Sequence, residues 1–239
     1  MSDNLGPVLA DLRRHFRGEM PKLIAFDLDG TLVDSVLDLA VAVDRMLQSQ
    51  GYAAAGEENV RGWVGNGAAM LVRRALAGSA DPQQVAQVDE AVFNASLAEF
   101  YRFYAQENGR SSQLYPGVEQ VLQAFAVLGI PMVVITNKPK PYADPLLASL
   151  KIAVYFQLVI GGECLPQRKP HPLPLQHVDQ HFGYLPEQCL MVGDSSNDVK
   201  AARAAGWVSA ALTYGYNHGE PVSLSGPDWL MDDFRELLL

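Results

Sequence analysis

A short apolar run that ends abruptly in two nearby carboxylates sets the strongest limit on how this chain can fold. Residues 23–26 read Leu-Ile-Ala-Phe and lead into Asp27, Asp29 and Gly30. The pattern predicts a buried strand that stops, places two acidic side chains in a loop and turns at the glycine. Two carboxylates in one site repel each other, so they share a proton or bind a hard cation such as Mg²⁺. The alternative is a turn in which both side chains only cap backbone groups.

Composition and charge narrow the class of protein. A chain of 239 residues with 49% apolar composition can bury a large core, which indicates a folded protein. The formal charge of −9 argues against nucleic-acid or anionic-membrane binding, because both need a basic surface. Cys164 and Cys189 form no Cys-x-x-Cys pair, which favours a reduced, cytoplasmic protein. We recognise no signal peptide and no apolar run near the ~20 residues of a membrane span.

The rest of the chain predicts an α/β core interrupted by helices. Residues 36–109 show helical periodicity and no convincing strand, and they are too long for an ordinary connection, so we expect an inserted all-helical domain. Strands and helices alternate afterwards, which predicts a Rossmann-like parallel sheet covered by helices on both faces. The expected core is therefore 21–35 with 110–239. Residues 1–20 are expected to be a helical extension that docks on the core or on a second subunit.

Element boundaries follow from the same patterns. A longer helix is predicted from Asp81-Pro82 towards Asn108-Gly109. The strands predicted after the insertion are residues 130–136, 156–160, 189–192 and 207–212. The helices predicted in the same part of the chain are residues 118–128, 143–150, 172–182 and 198–205.

Polar side chains follow several of the predicted strands. They are Asp27 and Asp29, Thr136 and Asn137, Lys169, and Asp194 and Asp198. In parallel sheets of this kind, ligands bind beyond the carboxyl ends of the strands, so we expect these side chains to meet. Carboxylates, a hydroxyl, an amide and a lysine together suit a phosphoryl group and its metal ion.

These motifs resemble, in the same order, the four signature motifs of the haloacid dehalogenase superfamily of phosphohydrolases. The resemblance extends from about residue 23 to residue 212, and four ordered motifs are far more specific than any one alone. The helical insertion resembles the small helical cap of the first type in that superfamily. A haloacid dehalogenase-like core with residues 36–109 as its cap is therefore implied.

The resemblance also implies a role for each acidic residue. Asp27 would be the nucleophile that forms an aspartyl-phosphate, and Asp29 would be the general acid and base. Mg²⁺ would be bound by the Asp27 carboxylate, the Asp29 backbone carbonyl and Asp194. Asp198 would position the motif lysine or metal-bound water, and its alternative role is that of an acid at a helix N-terminus.

The neutral donors and the lysine have implied roles as well. Thr136 and Asn137 would donate hydrogen bonds to phosphoryl oxygens, and Lys169 would place positive charge beside the nucleophile and the phosphate. Residues 61–68 and 214–221 resemble segments of bacterial phosphoglycolate phosphatases, which implies 2-phosphoglycolate as the substrate. Lys169 to Leu175 is similar to that group too.

A physical route to this substrate exists in the predicted cap. Backbone N–H groups at Gly65, Asn66 and Gly67, or the Arg61 side chain, could receive a carboxylate of the leaving group. The alternative is a glycine-rich turn that only joins two helices.

Other functions remain open from the sequence. They are a phosphatase for a sugar phosphate, pyrophosphate or nucleotide, a phosphoglucomutase-like phosphotransferase, and a non-catalytic binding protein of the same fold. A phosphonatase is disfavoured because residues 36–109 contain no lysine for a Schiff base. His177 and His181 have the spacing of a zinc pair, but a solvated helix face is favoured. The expected partner is a small phosphate ester, without nucleic acid or membrane, and the expected state is a monomer or homodimer.

Overall fold

The computed structural model describes residues 13–14 and 16–238, and its centre is a six-stranded parallel sheet. The strands are β1 (Leu23–Phe26), β2 (Val33–Asp34), β3 (Gln113–Leu114), β4 (Met132–Ile135), β5 (Leu158–Ile160), β6 (Cys189–Gly193), β7 (Val208–Leu212) and β8 (Trp229–Met231). The large sheet has the order β5-β4-β1-β6-β7-β8, and each neighbouring pair is parallel. The predicted α/β class is confirmed.

Helices cover both faces of this sheet and form the insertion. In the insertion they are α1 (Val36–Ser49), α2 (Glu57–Trp63), α3 (Ala68–Ala77), α4 (Pro82–Val85) and α5 (Glu90–Glu107). Around the sheet they are α6 (Val118–Val127), α7 (Lys140–Ser149), α8 (Leu173–Phe182) and α9 (Ser196–Ala205).

The middle strand shows why the sheet is buried on both sides. In β1, Leu23 and Ala25 pack into one hydrophobic cluster, whereas Ile24 and Phe26 pack into another. Successive side chains of a strand point to opposite faces, so an unbroken apolar run is what a sheet between two helix layers requires. Its central position places the end of β1 beside the ends of β4 and β6.

The insertion has a hydrophobic core of its own. Val43, Met46, Trp63 and Phe100 are among the side chains packed there. The insertion leaves the sheet domain after β2 and returns at β3, and these two short strands pair antiparallel. This pairing was not predicted, because two residues are too few to show a strand periodicity.

Two predictions about the elements are wrong. The single long helix after Pro82 is instead α4 and α5, because the Asp89 side chain accepts hydrogen bonds from the N–H groups of Ala91 and Val92 and so starts a new helix. No strand was predicted at β8, which has three residues and leaves Leu230 45% exposed at the sheet edge. An edge strand this short lacks the continuous apolar run of the buried strands.

The predicted N-terminal helical extension falls mostly on residues 1–12 and 15, outside the described part. Within the described part, Phe16 is buried in the sheet domain and Met20 packs against the same cluster. Among the described helices, none combines the length and apolarity needed to cross a membrane.

Candidate active site

A pocket lies at the carboxyl ends of β1, β4 and β6, between the sheet and the insertion. The cavity has a volume of about 50 Å³. The sheet side contributes mainly polar residues to its lining, namely Asp27, Asp29, Thr136, Asn137, Lys138, Lys169 and Asp194. The insertion contributes mainly apolar and aromatic ones, including Leu39, Val64, Leu71, Phe100 and Tyr104.

Lys169 lies at the centre of the polar side. Its ammonium lies 3.0 Å from the Asp27 carboxylate and 2.6 Å from that of Asp198, and it donates to the Ile135 carbonyl at 2.5 Å. Burial opposes the charge of this 2% exposed residue, but Asp198 and Asp27 offset it and keep the pKa of Lys169 above its usual range. The lysine therefore stays charged between the two acids.

Asp27 binds a proton more readily than an exposed aspartate does. Burial raises its pKa to about 6, although Lys169 opposes the shift. The carboxylate also accepts a hydrogen bond from the Leu28 N–H at 2.7 Å, which fixes its orientation at the end of β1.

The Asp194 carboxylate packs closely against the backbone of Gly30 and Gly215. Its carboxylate accepts hydrogen bonds from the Thr31 hydroxyl at 2.5 Å and from the Tyr216 N–H at 2.6 Å. A Cβ atom added to Gly30 or Gly215 would lie 2.3 or 2.2 Å from its Oδ2. Burial raises the pKa of Asp194, and the charges of Asp27 and Asp198 raise it further.

The acidic residues fit a divalent cation. Ligand atoms of Asp27, Asp194 and Asp198 all lie within 4.8 Å of one another, and Lys169 is the lysine that pairs with this group. Three carboxylates beside one ammonium leave negative charge that a hard, oxygen-seeking ion would neutralise. Both oxygens of Asp198 already accept hydrogen bonds, one from Lys169 and the other from the N–H and hydroxyl of Ser195.

Asp29 is held apart from this acidic group. Its carboxylate accepts hydrogen bonds from the Lys138 ammonium at 2.9 and 3.3 Å and from the Ser35 hydroxyl at 2.5 Å. Lys138 also donates to the hydroxyl of Tyr104, which lies on α5 of the insertion. Burial opposes the charge on Lys138, but Asp29 and Tyr104 keep its pKa above the usual range, and burial raises the pKa of Tyr104.

Sequence reasoning missed Lys138 and Tyr104. A signal was present for Lys138, because it directly follows Thr136 and Asn137 at the end of β4. Tyr104 stands among other aromatic residues on a helix, a pattern that indicates core packing.

Thr136 and Asn137 lie on the pocket wall, as predicted for the end of this strand. The Thr136 hydroxyl accepts a hydrogen bond from the Lys138 N–H at 3.1 Å, and its own hydrogen is free to turn towards a ligand. The Asn137 side-chain N–H₂ group donates to the Lys169 carbonyl at 2.9 Å. Among the described residues, its Oδ1 atom is buried without a hydrogen-bond partner.

The glycine-rich turn of the insertion is brought to the pocket only in part. Gly65 and Gly67 line it, and a side chain at Gly65 would collide with the His218 ring, since a Cβ there would lie 2.2 Å from Cε1. The Asn66 side chain instead accepts a hydrogen bond from Arg74 at 2.8 Å. This hydrogen bond links the turn to helix α3 of the insertion, and Asn66 is not among the residues that line the pocket.

Two other candidates from the sequence lie elsewhere. Arg61 is 2.9 Å from Glu57 and 3.6 Å from Asp34, and it does not line the pocket. His177 and His181 are both exposed on α8, as favoured from the sequence.

Comparisons with known proteins agree with this geometry. The profile of haloacid dehalogenase-like hydrolases matches residues 21–206. Over 223 residues the chain is 51% identical to a phosphoglycolate phosphatase of Pseudomonas putida, covering 93% of this chain and 80% of that protein. It is 46% identical over 217 residues to a phosphoglycolate phosphatase of Vibrio parahaemolyticus, covering 91% of this chain and 94% of that one.

A solved structure has the same architecture. The crystal structure of a predicted phosphoglycolate phosphatase from Haemophilus somnus superposes with a TM-score of 0.85 at 40% identity, covering 91% of this chain and 96% of that chain. The resemblance drawn from the four sequence motifs is thereby confirmed. The chain belongs to the haloacid dehalogenase-like hydrolases.

Proposed function

We propose that the protein is a Mg²⁺-dependent phosphatase that hydrolyses 2-phosphoglycolate to glycolate and phosphate. The observation that carries the proposal is the convergence of Asp27, Lys169, Asp194 and Asp198 at one end of a small pocket that the helical insertion covers. Membership of a hydrolase family supports the reaction class. The names of the similar proteins support the choice of substrate.

The first half of the reaction is assigned to Asp27 and Asp29. The Asp27 carboxylate attacks phosphorus and forms an aspartyl-phosphate, and the bond from phosphorus to the ester oxygen breaks. Asp29, which lines the pocket two residues further on, must be protonated for this step and gives that proton to the departing glycolate oxygen. The leaving group therefore departs as a neutral hydroxyl.

The second half reverses the proton transfer. Asp29 takes a proton from water as the water oxygen attacks the phosphorus of the aspartyl-phosphate, and Asp27 is released as a carboxylate. Lys169 holds Asp27 in place and offsets the phosphoryl charge. The Thr136 hydroxyl and the backbone N–H of Asn137 donate hydrogen bonds to phosphoryl oxygens, because the Asn137 side-chain N–H₂ group is already bonded to the Lys169 carbonyl.

The metal has a defined place in this scheme. Asp27, the Asp29 backbone carbonyl and Asp194 would hold Mg²⁺, with Asp198 in support through Lys169. A bound ion there would supply positive charge next to the phosphoryl oxygens.

The insertion is assigned the role of a cap over the leaving group. Residues 36–109 comprise α1 to α5. Their side chains Leu39, Leu71 and Phe100 line the pocket on the side opposite the acidic residues of the sheet. A pocket closed in this way suits a small metabolite better than a polymer. The wall formed by Gly65 and Gly67 would then lie beside the glycolate part.

A phosphate-release panel tests the proposal. Purified protein would be given 2-phosphoglycolate, a sugar phosphate, pyrophosphate and a nucleotide, each with Mg²⁺ and with a chelator. We expect Mg²⁺-dependent release with the highest kcat/KM on 2-phosphoglycolate. Asp27→Asn should lose turnover by several orders of magnitude with its fold retained. Asp144→Asn, on the exposed part of α7, is the matched control and should keep full activity.

The alternative functions give different results in the same panel. Equal or higher kcat/KM on another ester would refute the substrate assignment. Conversion of a sugar phosphate to its isomer without phosphate release would indicate a phosphotransferase. Absence of turnover on every ester would indicate a binding protein.

A further inference from the structure

A buried ammonium and a phenol hydroxyl on the leaving-group side of the pocket have no role in the chemistry above. They belong to Lys138, whose side chain is 2% exposed, and Tyr104, which is 2% exposed. Both line the pocket, and the ammonium is 2.9 Å from the carboxylate of Asp29. They therefore stand next to the group that is assigned to protonate the ester oxygen.

Lys138 differs from the other cations near the pocket in its partners. Lys169 is occupied by two carboxylates and a backbone carbonyl, which use its three hydrogens. Arg61 pairs with two acids, and Arg74 donates to a carbonyl and to Asn66. Lys138 has one anionic partner and one neutral partner, so it can still neutralise part of an incoming anion's charge.

Tyr104 supplies a second donor at the same place. Its hydroxyl oxygen accepts a hydrogen bond from Lys138, and within residues 13–14 and 16–238 its own hydrogen has no acceptor. An ammonium and a hydroxyl hydrogen that meet at one pocket wall can together bind the two oxygens of a carboxylate.

The surroundings strengthen such a contact. The neighbouring pocket residues Leu39, Leu71 and Phe100 are apolar, so water does not compete as it does at the surface. Arg168, near Gly67 at the rim, is exposed, and solvent screens its charge.

We infer that Lys138 and Tyr104 form the subsite for the carboxylate of the leaving group, so that the pocket selects esters of a 2-hydroxy acid. The inference rests on the proposed function and deepens it. In such an ester the carboxylate carbon is two bonds from the ester oxygen, and its oxygens lie about 3 Å from that oxygen, a hydrogen-bond length. Donors beside Asp29 are therefore within reach of the carboxylate when Asp29 contacts the ester oxygen.

A pair of matched substrates tests the inference. 2-Phosphoglycolate carries the carboxylate, and 2-hydroxyethyl phosphate carries a hydroxymethyl group in its place. The quantity measured is the ratio of their kcat/KM values. Lys138→Met should lower the ratio about 10- to 100-fold and Tyr104→Phe about 10-fold, because each removes a hydrogen bond to a charged group.

Control variants separate the subsite from general effects. Lys140→Met removes a neighbouring lysine that pairs with Asp144 on the exposed side of α7. Tyr142→Phe removes the hydroxyl of a ring 5.1 Å from that of Tyr104. Both should leave the ratio unchanged.

Several outcomes would overturn the inference. Equal losses on both substrates in Lys138→Met and Tyr104→Phe would mean that these residues only position Asp29. A fall in the ratio for Arg168→Met instead would move the subsite to the rim. In either case wild-type protein would still prefer 2-phosphoglycolate, whereas a wild type without that preference would refute the proposed function as well.

A crystal structure covers the case in which Lys138→Met does not fold. Asp27→Asn protein soaked with 2-phosphoglycolate should show the carboxylate within hydrogen-bond distance of the Lys138 ammonium and the Tyr104 hydroxyl. A carboxylate bound only by the backbone N–H groups after Gly67, or by Arg168, would overturn the inference.

Discussion

The contact of two glycines with Asp194 allows a quantitative prediction. Gly30 has φ +88°, in the left-handed region, and a Cβ there would lie 2.3 Å from Asp194 Oδ2. Gly215 lies outside that region, but a Cβ there would lie 2.2 Å from the same oxygen. Gly183, at the end of α8, has φ +73° and open space around it. The three positions therefore separate backbone strain from steric overlap.

The expected losses of unfolding free energy follow from these two effects. Gly183→Ala should cost about 1–2 kcal/mol, the strain of a left-handed non-glycine residue. Gly215→Ala should cost about 1–3 kcal/mol, because a buried and hydrogen-bonded carboxylate must move. Gly30→Ala has both effects and should cost about 2–5 kcal/mol.

Urea unfolding and Mg²⁺ titration of phosphatase activity measure the two consequences. Displacement of Asp194 should raise the Mg²⁺ concentration for half-maximal activity in Gly30→Ala and Gly215→Ala, whereas Gly183→Ala should behave as wild type. Equal stability losses at all three positions, with the same Mg²⁺ requirement, would refute the close packing of the glycines on Asp194.

Three further predictions concern buried charges. Lys169→Met leaves Asp27 and Asp198 buried without a counter-charge, so urea unfolding at neutral pH should show a loss of about 3–5 kcal/mol; a loss below 1 kcal/mol would contradict the buried pairing. Mg²⁺ at 100 times its Kd should stabilise the wild type by about 2.7 kcal/mol, which thermal unfolding shows as a rise in Tm. Asp194→Asn should lose most of this rise in Tm, and an unchanged rise would exclude Asp194 as a ligand. Burial, with Arg74, lowers the pKa of His218 to about 4. Because the unfolded chain protonates this histidine near pH 6.5, folded stability should fall by about 1–2 kcal/mol from pH 6.5 to 4, allowing for partial exposure. His218→Gln should reduce this slope relative to wild type, and identical slopes would contradict the assignment.

The polar residues at the strand ends were predictable from local patterns. The apolar run before Asp27 and the alternation of strands and helices predict a parallel sheet, and such a sheet brings its strand ends together. The structure places Asp27, Asp194 and Lys169 within one site for that reason. Their chemical roles stay predictions that the assays above test.

Other features depend on packing between distant segments. The contact of Lys138 with Tyr104 joins residues 34 positions apart, and that of Gly65 with His218 joins a turn of the insertion to a loop after β7. No periodicity in the sequence predicts such contacts, because they depend on how the insertion packs on the sheet. For the same reason Arg61 was a reasonable carboxylate receptor in the sequence, yet the folded chain pairs it with Glu57 and Asp34.

The sequence alone therefore determined the sheet, the family and the residues at the strand ends, since these follow from side-chain periodicity and short motifs within single segments. The tertiary structure decided which side chains of the insertion line the pocket. That choice depends on the distances between atoms of the inserted helices and the sheet, and a one-dimensional pattern does not contain these distances.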